Sequence, residues 1–158
     1  MQKIITRARI VGQLLQERRQ TIAIAESSAG GLISAGLLSV AGASAYYLGG
    51  GVIYTREARR QLLGLPESVV TMQAATEDYA LLVARAIRDK LGATWGLCET
   101  GASGPGGNRY GNPPGHVCVA VCGPQDLAMT LETGSADREA NMRAFAEASL
   151  EFLEKALR

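Results

Sequence analysis

Residues 21–31 read TIAIAESSAGG. The run 21–25 is short, apolar and rich in β-branched residues, which predicts a strand buried on both faces. It stops on Glu26, two hydroxyls, an alanine and two glycines, and the small, apolar segment 30–40 (GGLISAGLLSV) follows as a helix. A buried strand that turns straight into a helix is the opening unit of an α/β fold, and open sheets of that class bind ligands where strands end and helices begin. Two roles fit the serines at this turn. Ser27 or Ser28 can cap the helix, the commoner use of serine there. Alternatively Ser27 is presented to a substrate, with free N–H groups at residues 28–31 holding an anion or an oxyanion.

The pattern continues on both sides. Ile4, Ala8, Val11, Leu14 and Leu15 recur at helical spacing with charged residues between them, so 3–19 is an amphipathic helix. AYYLGGGVIY (45–54) is strand-like with a glycine break, as at a sheet edge or a bulge. Residues 56–63 form a short helix that ends near Gly64 and Pro66. Residues 76–91 form a longer one, with Thr76, Glu77 and Asp78 at its start and Arg88 and Lys90 near its end. Residues 94–99 and 116–122 read as inner strands, 127–132 as a further strand, and 137–157 as a closing helix. Helices alternate with short apolar strands, so the class is α/β with helices on both sheet faces.

The chain has 158 residues, which suits one domain over 1–158 and buries roughly 68–70% of the unfolded surface. Sixteen Lys+Arg stand against 15 Asp+Glu, a balance that argues against a nucleic-acid footprint. No apolar run is long enough to span a bilayer, and the opening MQKIITRARIVGQLLQERRQ carries charges throughout, unlike a signal peptide. Cys98, Cys118 and Cys122 lie in apolar segments and suit a reduced, cytoplasmic setting. Cys118 and Cys122 share one strand face and read as core, so no metal is expected. His116 reads as a packed or exposed histidine before a base.

Glycines cluster at 30–31, 49–51 and 101–115. The segment TGASGPGGNRYGNPPG (100–115) is the second candidate for chemistry. Its glycines let backbone N–H groups converge on a phosphate or carboxylate, and its prolines stiffen the loop. It matches neither the Walker nor the dinucleotide spacing. YTREARR (54–60) and DREANMR (137–143) each carry arginines at a helix start, where a guanidinium fork suits phosphate or carboxylate and a solvated helix face is the plainer use.

AESSAGG, GGGVIYTREARRQLLGLP, TGASGPGG with NPPGHVCVA, and DREANMR, in that order, together resemble the CinA C-terminal domain family across about residues 5–155. The resemblance implies a three-layer α/β/α sandwich with a mixed, mostly parallel sheet. It also implies the reaction of the nicotinamide-nucleotide amidases: hydrolysis of the carboxamide of nicotinamide mononucleotide to nicotinate mononucleotide and ammonia, with no cofactor. Ser27 falls on the family's nucleophilic serine, and Tyr54 and Glu57 on its tyrosine and glutamate. Ser28 and Ala29 replace its Cys-Thr pair. The catalytic set implied is Ser27, Arg59 and Tyr54. The substrate-binding set is Glu26, Ser28, Gly30, Gly31, Gly101, Ala102, Gly104, Arg138 and Arg143, with either arginine taking the phosphate. The expected partner is a phosphorylated pyridine nucleotide, and the expected assembly is a homo-oligomer.

One departure bears on the chemistry. Arg59 stands where the family has a lysine thought to assist the serine, and arginine keeps its proton at any useful pH. Arg59 therefore either stabilises charge beside Ser27 while another group takes the proton, or marks a non-catalytic nucleotide-binding or regulatory paralogue.

Overall fold

Large and small side chains alternate along the inner strands, and the alternation sets how close a helix comes to each face. The computed structural model describes residues 1–158. Its strands β1 (Ile22–Glu26), β2 (Tyr47–Val52), β3 (Trp95–Ala102), β4 (His116–Cys122) and β5 (Leu127–Glu132) form one sheet in the order β2-β1-β3-β4-β5. Ile22, Ile24, Leu97, Val117, Val119 and Val121 project from one face into a core shared with α1 (Gln2–Glu17), α2 (Leu32–Leu38) and α6 (Arg138–Leu157). Ala23, Ala25, Cys98, Cys118, Ala120 and Cys122 project from the other, where α5 (Glu77–Leu91) packs. The helices thus lie on both faces, in three layers.

Register keeps the small residues together: Ala23 pairs with Gly96, Ala25 with Cys98, and Cys98 with Ala120. Gly96 completes that floor, since a Cβ there would stand 2.0 Å from the Ala84 carbonyl oxygen of α5. A backbone carbonyl cannot rotate aside. Gly96→Ala should therefore cost about 3 kcal/mol, the upper end of ordinary overpacking. Thermal unfolding should show this as a Tm lowered by roughly 10 °C.

The caps follow the sequence. Thr76 accepts from the Tyr79 N–H at the start of α5, and Asp137 accepts from Ala140 at the start of α6. Thr55 does the same for α3 (Arg56–Gln61), through the Ala58 N–H. A further short helix, α4 (Glu67–Val70), follows Pro66 and has no apolar periodicity that would have announced it. No helix is long and apolar enough to cross a membrane.

The sheet is mixed in equal parts, which corrects the expected parallel majority. β1 pairs parallel with β2 and β3, while β3–β4 and β4–β5 are antiparallel. The reason is the 103–115 connection. It contains no crossover helix, and a chain without one returns antiparallel. The parallel part positions the site. From β1 the chain goes to β2 on one side and then crosses to β3 on the other, so the C-terminal ends of three parallel strands border one crevice.

Candidate active site

At the end of β1 the helix start is occupied by the chain's own carboxylates. Glu26 is buried beneath α2 and accepts from the amides of Gly31 (2.8 Å), Ile33 (3.1 Å) and Ser34 (2.9 Å), and from Ser34 Oγ (2.8 Å). Glu99 reaches over from β3. Its Oε2 accepts from the amides of Ser27 and Ala29, each at 2.9 Å, and its Oε1 accepts from Ser28 Oγ. The Gly30 and Leu32 amides donate to the Ser27 and Ala29 carbonyls. Across residues 27–34 only the Ser28 amide donates to nothing in the chain.

This corrects several expectations. The N–H groups of 29–31 are not free to hold an oxyanion, because buried amides take the nearest acceptors and charged acceptors bind them most strongly; of the expected set only the Ser28 amide stays free. Neither serine caps α2; Gly31 is its N-cap, and Glu26 supplies the acceptors. Glu26 and Gly31 are thus engaged within the fold. Gly30 packs on α6, where a Cβ would meet Met142 Cε at 2.7 Å. Burial pushes the Glu99 carboxyl above the usual carboxylate range, against the lowering effect of its three donors, and the like charge of Glu26 acts with the burial.

Next to this turn lies a cleft of about 190 Å³ bordered by Ser28, Tyr54, Gly101, Ala102, Ser103, Gly104, Gly106, Gly107, Asn108 and Arg138. Each parallel strand contributes: Ser28 follows β1, Tyr54 follows β2, and the glycine-rich loop leaves β3. Arg138, the first residue of α6, closes the side. Its guanidinium donates to the Gly104 carbonyl (2.6 Å) and the Tyr54 hydroxyl (3.3 Å) and pairs with no carboxylate. Buried Asn141, one turn on, donates to the carbonyls of Ser103 (2.9 Å) and Ser135 (2.8 Å). These two side chains draw the loop's carbonyls toward α6. The amides of Ser103, Gly104, Gly106 and Gly107 donate to nothing in the chain. Gly104 has φ +103°, and a Cβ there would also press on the Ala136 carbonyl, so the bend requires glycine. Asn108 holds the far end, accepting from Tyr110 and Asn112 amides at 3.0 Å.

The structure therefore brings Ser28, Tyr54, Gly101, Ala102, Gly104 and Arg138 together and, besides Glu26, Gly30 and Gly31, leaves Ser27, Arg143 and Arg59 out. Ser27 does not border the cleft, and its hydroxyl makes no hydrogen bond in the chain. Arg143 lines a separate groove of about 410 Å³ against the start of α1 and pairs with Glu139. Arg59 is buried on the α5 side. Its Nη1 donates to the Val70 (2.6 Å) and Met72 (3.4 Å) carbonyls, and its guanidinium lies 4.6 Å from the Tyr79 ring centroid. No hydrogen bond joins it to Ser27 or Tyr54. A planar, delocalised cation that reaches two carbonyls while stacked on an aromatic ring is what arginine provides and lysine does not. Arg59→Lys should therefore destabilise the fold by about 2 kcal/mol, the scale of hydrogen bonds to a charged group. Thermal unfolding should register it as a Tm lower by roughly 6 °C.

His116 is buried between Glu132 and the Ala75 carbonyl, and Cys118 and Cys122 donate to the Ala75 and Leu81 carbonyls. No group of three or more His, Cys, Asp or Glu side chains stands placed to hold a metal ion. Sequence reasoning missed Glu99, Ser103, Asn108 and Asn141. Glu99 alone left a signal, as a charge inside the apolar run of an inner strand. What the cleft offers chemically is one unpaired cation, several free amides and a hydroxyl backed by a buried carboxylate.

Residues 5–157 match the family model described as the CinA C-terminal domain. A CinA-like protein of Desulforapulum autotrophicum is 37% identical over 154 residues, covering 96% of this chain and 36% of that protein. Another, of Desulfosudis oleivorans, is 38% identical over 149 residues, covering 93% of this chain and 36% of that protein. The chain thus spans about a third of the length of these curated relatives. Among solved structures, a competence-damaged protein (CinA) superfamily protein from Klebsiella pneumoniae superposes with a TM-score of 0.90 at 26% identity, covering 98% of this chain and 97% of that one. A competence/damage inducible protein from Agrobacterium tumefaciens gives 0.88 at 31% identity, covering 98% and 95%.

Proposed function

Because the chain belongs to the CinA C-terminal domain family, we propose that it is an amidohydrolase of the nicotinamide-nucleotide type. Its substrate is nicotinamide mononucleotide, and its products are nicotinate mononucleotide and ammonia. The carrying observation is the pairing, in one cleft, of Arg138, free of any carboxylate, with loop amides that have no partner in the chain. A guanidinium and converging amides suit a phosphate. Tyr54 steadies the guanidinium, and a serine of the 27–28 turn attacks the carboxamide carbon. A homo-oligomer and a cytoplasmic setting belong to the same reading; the open β2 edge exposes Leu48 and Val52, and all three cysteines are free.

A second reading has its own support. Arg59 is held by Val70, Met72 and Tyr79 and gives Ser27 no base, which suits a nucleotide-binding paralogue without turnover. Ammonia release and thermal shift with nicotinamide mononucleotide, with nicotinamide riboside as the control, separate the two. Ammonia together with a shift specific to the phosphorylated ligand is the result expected of the amidase. A shift without ammonia selects the binding module, and neither response removes the nucleotide.

A further inference from the structure

We propose that Ser28 and Glu99 are the nucleophile and general base of this cleft, an inference that rests on the amidase reading above. Ser28 borders the cleft, and its Oγ donates to Glu99 Oε1 beneath it. Glu99 is fully buried, and its other oxygen is held by the Ser27 and Ala29 amides at 2.9 Å each. Two fixed donors on Oε2 orient the carboxylate so that Oε1 faces the hydroxyl. A nucleophile, a base within hydrogen-bond reach and a third element that orients the base make up the arrangement by which serine is activated on unrelated folds. Ser27 has no such partner. No histidine, lysine or further carboxylate borders the cleft. Burial also raises the proton affinity of Glu99, which makes it a better base near neutral pH.

The bonds balance within the site. As Ser28 Oγ bonds to the carboxamide carbon, its proton passes to Glu99 Oε1. The C–N bond then breaks, and the proton goes to the nitrogen, which leaves as ammonia. Water adds to the acyl carbon and gives a proton to Glu99. That proton returns to Ser28 Oγ as the acid departs. Amide and water enter, acid and ammonia leave, and no other reactant is required. Glu99 touches the reacting hydroxyl directly, whereas the Ser27 and Ala29 amides only position it.

The test measures ammonia release from nicotinamide mononucleotide by wild type, Ser28→Ala, Ser27→Ala and Ser28→Cys. Ser28→Ala should lose activity by at least about a hundredfold, the low end for a positioned catalytic group. Ser27→Ala keeps its backbone amide on Glu99 and should lose far less. Ser28→Cys preserves the side-chain shape and reads the position even where the alanine variant fails to fold. Iodoacetamide should stop its turnover by alkylating position 28, and excess nicotinamide mononucleotide should protect it. Cys98, Cys118 and Cys122 are buried, with thiols pushed up by burial, and should stay unmodified. Wild-type activity in Ser28→Ala, or alkylation at position 28 without loss of activity, overturns the pair and leaves the amidase reading standing. Absence of ammonia release from wild type overturns the amidase reading and the pair with it.

Discussion

Glu99→Gln should lower kcat/KM for amide hydrolysis by about 10²–10⁴-fold, the range for a positioned general base, without unfolding the protein. The isosteric amide explains both halves. The glutamine oxygen can take the place of Oε2 and accept from the Ser27 and Ala29 amides. Its NH₂ then donates to Ser28 Oγ, reversing the hydrogen bond that the carboxylate accepts. The turn keeps its bonds and the hydroxyl loses its base. The pH profile gives an independent readout. A base works deprotonated, so wild-type kcat/KM should rise with pH through an apparent pKa above the usual carboxylate range, because burial raises Glu99 and Glu26 adds to the effect. The glutamine variant should lack that limb. Stability has the opposite slope. Between the unfolded carboxylate pKa and the raised folded one, the native state holds a proton that the unfolded chain has lost, so stability falls as pH rises across that window. Urea titrations of wild type should show this fall, and those of the variant should be flatter.

Arg138→Ala should weaken binding of the phosphorylated nucleotide by roughly a hundredfold, about 3 kcal/mol, the scale of a bidentate charge-assisted contact. Arg138 has no carboxylate partner to release before it meets a phosphate, so its full charge is available. Nicotinamide riboside, which lacks the phosphate, should lose little between the two proteins. Calorimetric titration of both ligands against both proteins measures the difference. Equal losses for nucleotide and riboside would remove the phosphate role and leave Arg138 as a clasp on the Gly104 carbonyl. Arg143→Ala is the companion control, since it lies in the groove beside α1 and pairs with Glu139. It should leave both affinities unchanged.

The architecture was legible because it rests on periodicity. The apolar run before Glu26, the Thr76 cap and the alternating helices and strands are local signals, and each marks an element that forms. Strand direction was less legible, since it depends on whether a connection holds a helix, and the 103–115 loop does not. Tyr54, Gly104 and Arg138 sit in recognisable motifs at strand or helix ends, and they meet in the cleft. Glu99 and Asn141 act across long sequence separations, on Ser28 and on Ser103, and no spacing rule links such positions. Glu26 and Arg59 show the opposite failure. Each lies in a recognisable motif, yet the nearest unpaired backbone groups engage it, the α2 amides in one case and the Val70 and Met72 carbonyls in the other. A motif fixes which residue is present, and burial decides what it binds.

A crystal structure of the protein with nicotinate mononucleotide bound tests the central claim most directly. The phosphate should lie on Arg138 and the free amides of the 103–107 loop, with the pyridine carboxylate over Ser28 Oγ and Glu99 still holding the Ser27 and Ala29 amides. A phosphate seated on the α2 start in place of Glu26, or in the Arg143 groove, would contradict it.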